Sequence, residues 1–262
     1  MTVPERFVRV CTTAGVQSGR QAGDRIEMLS AAPWDSPRVT GVIAADGAAL
    51  RAPCRPGKVI CLGVNYHDHA TEFGHAIPDC PLIFMKAPSA VIGPEEAIVY
   101  PSYWTTRVEY EAELALVIGQ QARRVAARNA ADVIFGYTCL NDVTARDLQR
   151  RDGQWTRGKS FDTFCPIGPA IVRGIDPANL AVRGILNGVV KQSSSTTHLI
   201  FGVPEIIAFV SHVMTLEPGD VIATGTPAGV GPLQPGDVVD VEIEQIGRLR
   251  NRVVRGAPGC WE

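Results

Sequence analysis

Short strand-like runs, each closed by a glycine or proline turn, follow one another along this chain with little helix between them, and that rhythm is the tightest constraint on its fold. Val59, Ile60 and Leu62 in RPGKVICLGVNY read as a buried strand, and PLIFMK, EYEAELALVIG, GYTCLNDV, IGPAIV, GDVIATG and GDVVDVEIEQIG read as further strands. Asn187-Gly188 within VRGILNGVVKQ marks a tight hairpin, because both residues tolerate the positive φ such a turn requires. Helical pattern is confined to AARNAADVIF, residues 126 to 135, and to the stretch from Pro204 to Met214. In the second, Pro opens the helix and Ile206, Ile207, Phe209, Val210 and Val213 form an apolar face. Strands that do not alternate with helices argue against a Rossmann or TIM architecture. They predict a mainly β fold with few helices, α+β by class, built as a sandwich or roll. Between Phe7 and Pro53 the pieces FVRVCTT, GRQAGDRIEML and GVIAADGAALRAP are short and glycine-broken, with Asp46-Gly47 as a hairpin signal. Residues 1–52 are therefore expected to form a small N-terminal β-rich domain, and 53–262 the main domain.

Within RVEYEAELALVIG, Glu109, Glu111 and Glu113 alternate along a strand that runs on into Leu114, Ala115, Leu116, Val117 and Ile118. Alternate residues share one face of a strand, so three carboxylates lie side by side and repel. A face turned to water is one answer. The other is a cation held among them, since burying several carboxylates together requires one. An oxygen-only set selects a hard ion, Mg²⁺ with Mn²⁺ or Ca²⁺ as replacements. A further ligand must come from elsewhere, and LNDVTARD offers Asp142, with Asp147 close by; position in the chain does not choose between them.

Three other stretches carry chemistry. In GVNYHDHATEFGH, His69 and Glu72 stand three apart, a spacing that on a helical turn lets the carboxylate orient the imidazole and raise its basicity; a plain surface pair has the same spacing. His67 and His69 also form an H-x-H that could begin a zinc site, but no second His/Cys cluster supports it. In NDVTARDLQRRDGQWTRGKSFDTF, Arg146, Gln149, Arg157 and Lys159 supply the cationic and amide donors that a substrate carboxylate requires, or else a solvated loop. ATGTPAGVG offers glycines for close backbone approach, with the hydroxyls of Thr224 and Thr226, and it lacks the Gly-Lys-Ser/Thr of a phosphate loop.

The whole-chain numbers narrow the partners. Of 262 residues, 45% are hydrophobic and 20% charged, and the net charge of −2 provides no broad basic field for a nucleic acid or an anionic membrane. The basic run GRLRNRVVR is then solvated surface or a small-anion holder. Seven cysteines without a C-x-x-C pair signal neither a disulfide framework nor a cysteine zinc site, and MTVPERFVRV is too charged for a signal peptide. A cytoplasmic protein acting on a small molecule is expected.

Taken in order, LGVNYHDHATE, FMKAPSAVIGP, VEYEAELALVIG, GYTCLNDVTARDLQ, WTRGKSFDTFCPIGP and TGTPAGVG resemble the motifs of the fumarylacetoacetate hydrolase family, from about Lys58 to about Val254. The resemblance implies a mixed β-sandwich or roll core, a homodimer, and activity on 2-oxo acids and their enols. It implies that Glu111, Glu113 and Asp142 are the metal ligands, with Glu109 outside them. His69, Glu72 and Lys159 fall on the catalytic positions, and Arg146, Gln149 and Thr226 on substrate-contacting ones. The reactions implied are isomerisation of a hydroxymuconate-type diacid or C–C hydrolysis of an acylpyruvate, with oxaloacetate-type decarboxylation, or binding without catalysis, as alternatives. Two departures bear on the substrate: Val64 stands where acylpyruvate-cleaving relatives often have Arg, and TTHLIF replaces the commoner T-x-D-M-I-F.

Overall fold

A computed structural model describes residues 3–68 and 76–257. Their strands form three sheets, and the fold is mainly β with mixed pairing, as the turn rhythm requires. The largest sheet has twelve strands. Ten lie edge to edge in the order Val39–Ala44, Arg25–Leu29, Gly15–Ala22, Glu5–Thr12, Cys165–Arg173, Ile134–Asn141, Ala112–Ile118, Val221–Ala223, Val59–Gly63 and Leu82–Lys86. Leu50–Arg51 pairs with Glu5–Thr12, and Val91–Ile92 with Cys165–Arg173. Most neighbours are antiparallel, whereas Val221–Ala223 runs parallel to Val59–Gly63. A five-stranded sheet runs Val189–Ser195, Ala181–Leu186, Val238–Ile243, Gly247–Arg255, Ile98–Tyr100, and a small third sheet joins Thr144–Ala145, Val108–Tyr110 and Gly231–Pro232.

Ala112–Ile118 is buried along its whole length, which explains why its sequence is a continuous apolar run rather than an alternating one. Leu114, Leu116 and Ile118 pack against Ile206, Ile207 and Val210 of the helix Val203–Val213 and against Val241, Ile243 and Leu249 of the five-stranded sheet. Ala115 and Val117, on the opposite face, join Leu140, Ile167, Val221 and Phe7 in a second cluster. Each fully buried Leu or Ile contributes roughly 1.5–3 kcal/mol, so this strand is a fixed platform for whatever its N-terminal end carries.

The helix from Pro204 forms nearly as read, spanning Val203–Val213. AARNAADVIF departs from expectation: a 3-10 turn at Ala127–Asn129 and a short helix at Ala130–Val133 give way at Ile134 to a strand. Ile134 pairs with Ile118, so sheet pairing takes the residues that local propensity assigned to helix. Asn187 and Gly188 take φ of 52° and 78°, the two-positive pattern of a tight hairpin turn, and their flanking strands pair. Asp46-Gly47 is a turn but not a hairpin. Val39–Ala44 pairs with Arg25–Leu29, and Leu50–Arg51 with Glu5–Thr12, so the turn sends the chain to two different neighbours. Glu5–Thr12 also pairs with Cys165–Arg173, which places the N-terminal strands on the edge of the large sheet.

The basic run GRLRNRVVR is the strand Gly247–Arg255, and two of its charges are met across the sheet. Arg250 Nε donates to Asp240 Oδ1 at 2.7 Å and Arg248 Nη2 to Glu242 Oε2 at 2.6 Å, each pair directly opposite in register. Among the described residues no helix is long and apolar enough to cross a membrane.

Candidate active site

Glu111 occupies the step between Val108–Tyr110, in the small sheet, and Ala112–Ile118, in the large one. Glu113 follows two residues on, along the side that carries Ala115 and Val117. The adjacent strand Ile134–Asn141 pairs Asn141 with Ala112 and Leu140 with Glu113, and the Asp142 N–H donates to Glu111 O at 2.9 Å. This register brings Asp142, and not Asp147, beside the two glutamates. Ligand oxygens of Glu111, Glu113 and Asp142 all lie within 4.8 Å of one another, on residues only 5%, 1% and 0% exposed. The alternating glutamates therefore do not face water. Glu109 is buried too, but its oxygens accept from Arg107 Nε at 2.6 Å and Arg146 Nε at 2.7 Å, which sets it outside the three. Asp147 instead accepts from the Thr105 hydroxyl, from the Thr106 N–H and hydroxyl, and from the Leu148 N–H.

Buried anions this close require cations, and side chains provide part of them. Lys159 Nζ donates to Asp142 Oδ2 at 2.6 Å and Glu111 Oε2 at 3.0 Å. Lys86 Nζ donates to Asp142 Oδ1 at 2.5 Å and Val143 O at 3.0 Å. Arg146 Nη2 donates to Glu111 Oε1, and its Nη1 to Gln149 Oε1 at 2.5 Å. Burial works against the Lys159 ammonium, but the Asp142 and Glu111 carboxylates outweigh it, and its pKa lies above the usual lysine value. Glu113 is pushed well above the usual carboxylate range, by burial first and then by Asp142 and Glu111; Lys159 and the Gly225 N–H pull the other way without prevailing.

ATGTPAGVG closes the site from the other side. The Gly225 N–H donates to Glu113 Oε2 at 2.8 Å, and Gly225, at φ 95°, sits where a Cβ would lie 2.9 Å from the Asn65 Cβ; glycine is what permits the approach. Gln192 accepts from the Ala112 N–H at 2.9 Å and donates to Thr226 Oγ1 and Pro227 O, both at 2.8 Å. Thr226 Oγ1 in turn gives its one proton to Ala112 O at 2.9 Å.

A cavity of about 610 Å³ opens onto the cluster. Glu111, Glu113, Lys159, Arg146, Gln149 and Thr226 line its polar side, and Leu62, Val64, Leu82, Phe84 and Trp155 its apolar side. Phe84 and Trp155 meet edge to face with centroids 5.0 Å apart, and Lys159 Nζ stands 4.9 Å above the Phe84 ring. Val64, one of the two departures from the family pattern, thus borders the cavity, in a left-handed backbone conformation with φ 49° that is unusual for a β-branched residue. His198, from the other, bonds Ser194 Oγ and is not among the cavity's lining.

Seven of the nine sequence-derived site residues, Glu111, Glu113, Asp142, Lys159, Arg146, Gln149 and Thr226, meet at this place. His69 and Glu72 lie outside the described residues, as does half of the H-x-H pair. Lys86 was not singled out by the sequence; its signal was a lone lysine closing the apolar run PLIFMK, where a charge is buried only if something pairs with it. Tyr66, from GVNY, is fully buried, and its hydroxyl has no hydrogen-bond partner among the described residues. Burial, Glu113 and Asp68, in that order, raise its pKa. An unpaired buried hydroxyl costs about 1–3 kcal/mol, so Tyr66→Phe is expected to hold or raise the thermal midpoint. A fall of several degrees on a melting curve would show the hydroxyl to be structurally bonded.

The donor set fits a hard divalent cation: three anionic side chains, oxygen-only, each able to accept an N–H and still offer a lone pair.

Comparisons with known proteins agree with this geometry. Residues 58–254 match the family model "Fumarylacetoacetate (FAA) hydrolase C-terminal". The chain is 57% identical over 199 residues to the uncharacterized protein MJ1656 of Methanocaldococcus jannaschii, covering 76% of this chain and 84% of that one. It is 44% identical over 218 residues to the oxaloacetate tautomerase YisK of Bacillus subtilis, covering 78% and 72%. A crystal structure of the 2-hydroxyhepta-2,4-diene-1,7-dioate isomerase of Mycobacterium marinum superposes with a TM-score of 0.90 at 42% identity, over 97% of this chain and all of that one. With its match covering three quarters of the sequence and its carboxylates gathered at one cavity, the chain belongs to the fumarylacetoacetate hydrolase family of enzymes.

Proposed function

We propose that this enzyme isomerises or tautomerises a small 2-oxo diacid through its enolate, with a divalent cation held by Glu111, Glu113 and Asp142. The convergence of these three buried carboxylates on a cavity carries the reading. Relatives named as a tautomerase and an isomerase favour proton transfer over C–C cleavage. When bound, the cation supplies positive charge to the 2-oxo oxygen, stabilising the enolate more than the ketone. Mg²⁺ is the working ion, with Mn²⁺ or Ca²⁺ as replacements, and the assembly is a homodimer; the family resemblance supports both.

The chain's own groups divide the rest. Lys159 spends two of its three N–H bonds on Asp142 and Glu111 and has one left for the oxygen that gains charge. Gln149 gives its carbonyl to Arg146 and keeps its amide N–H₂ for substrate. Arg146 is occupied by Glu109, Glu111 and Gln149, so its part is to hold the glutamates and the amide in place. Thr226 bonds a substrate carboxylate only by turning its proton away from Ala112 O. His69, steadied by Glu72, moves the carbon-bound proton.

The test follows the ultraviolet absorbance of enol-form oxaloacetate, 2-hydroxyhepta-2,4-diene-1,7-dioate and an acylpyruvate on chelator-treated protein with and without added Mg²⁺. Mg²⁺-dependent conversion of one of the first two is expected; turnover of the acylpyruvate alone replaces isomerisation by hydrolysis, and no turnover of any sinks the reading. Glu72→Gln is expected to lose turnover while still taking up metal, whereas a mere binding protein would hold 2-oxo acids unchanged.

A further inference from the structure

We infer that Arg150 selects the substrate by its second carboxylate, which makes the cavity a site for 2-oxo dicarboxylates rather than for 2-oxo monocarboxylates. The assignment rests on the 2-oxo diacid reading of the site and adds to it the residue that selects the second carboxylate.

Among the described residues three cations line the cavity: Arg146, Arg150 and Lys159. Lys159 is paired with Glu111 and Asp142, and Arg146 with Glu109 and Glu111. Arg150 makes no hydrogen bond or ion pair with any described residue, and it is exposed while lining the cavity. It lies on the helix Arg146–Asp152, four residues after Arg146, so it shares the face that presents Arg146 to the cavity and stands one turn farther along. Elsewhere the wall is mostly apolar, Leu62, Leu82, Phe84 and Trp155 among it, and brings no further positive charge to a carboxylate.

Charge balance points the same way. With all four ionised, as a cation held by the cluster requires, the buried carboxylates Glu109, Glu111, Glu113 and Asp142 are matched among the described residues by four cations, Arg107, Lys86, Arg146 and Lys159. A divalent cation added to a balanced cluster leaves a double positive charge, and Arg150 adds a third. A dianion satisfies such a site better than a monoanion. One end belongs at the cluster, and the distal carboxylate belongs at the arginine whose planar donor fork is unoccupied. The volume, about 610 Å³, holds a small diacid with room for solvent.

The experiment uses the full chain in excess Mg²⁺, with Arg150→Gln and Arg150→Lys. It measures kcat/KM for oxaloacetate and for its 4-methyl ester, which removes the distal charge and little else, and Kd for oxaloacetate and pyruvate by calorimetry. Arg150→Gln is expected to lower kcat/KM and affinity for oxaloacetate by roughly 10- to 100-fold, the scale of a lost charge-assisted pair, and to leave the ester and pyruvate within about twofold. Arg150→Lys is expected to restore part of the preference. An equal fall for the dianion and for the monoanionic ester and pyruvate, or no fall, overturns the assignment. Arg150-dependent binding of oxaloacetate without turnover would sink the catalytic reading and keep this one; turnover indifferent to Arg150 would do the reverse. Neither binding nor turnover overturns both.

Discussion

Asp142→Ala is expected to lower the stability of the protein by about 3–5 kcal/mol, the cost of removing one partner from a buried ion pair. Asp142 is fully buried and accepts from two lysines that are buried themselves, Lys86 and Lys159. Truncation leaves Lys86 with a single carbonyl, Val143 O, and Lys159 with Glu111. The Lys86 ammonium cannot reach water without breaking the packing around it, and Lys159 is left with Glu111 and its cavity-facing side. For a chain of this size the loss corresponds to a drop on the order of 10 °C in thermal midpoint. Asp142→Asn, which keeps an acceptor at the same place, is expected to lose less. Calorimetric melting of the three proteins in the presence of a chelator separates this role from any contribution of metal. A midpoint for Asp142→Ala within a degree or two of the parent would mean that the lysines are not anchored on Asp142.

Glu113→Gln has a different signature: the fold stays and the metal goes. Its bond from the Gly225 N–H can be accepted equally by an amide oxygen, and a neutral amide suits a position where burial, Asp142 and Glu111 already disfavour the anion. Metal-free stability is therefore expected to be unchanged or higher. Affinity for Mg²⁺ or Mn²⁺ is expected to fall by more than the ~10- to 100-fold that loss of a mere outer partner of a metal ligand costs, and turnover with it. Titration calorimetry on chelator-treated protein reads the first effect, and the ultraviolet assay the second. Parent-like metal uptake by Glu113→Gln would remove Glu113 from the ligand set and leave two carboxylates to explain the cluster.

Much of this site was readable from adjacent residues. Alternation of Glu109, Glu111 and Glu113 placed them on one side of a strand, and the apolar run behind them announced that the strand enters the core. Asn187-Gly188 named its own turn. Where the reading strayed, a distant partner was responsible. AARNAADVIF yields its last two residues to sheet because Ile134 is claimed by Ile118, and Asp46-Gly47 turns without making a hairpin because its flanking strands find other neighbours. Lys86 was legible only as an oddity at the end of an apolar run, since its partner Asp142 lies 56 residues farther on. Arg146 looked like a free donor because nothing in LNDVTARDLQ reveals that Glu109 and Glu111 already hold it.

By itself the sequence determined the β-rich class, the strand and turn rhythm and the acidic stripe, all of which depend on spacing between near neighbours, where side-chain direction follows from backbone period alone. Only the tertiary structure decided that Asp142 and not Asp147 joins the glutamates, that Lys86 and Lys159 neutralise them, and that Arg150 is the cavity's unpaired cation among the described residues. Those outcomes depend on the pairing of Ala112 with Asn141 and on which chain segments close over it. A shift of one residue in that register would turn the slipped strand's side chains to the other face and part Asp142 from the glutamates.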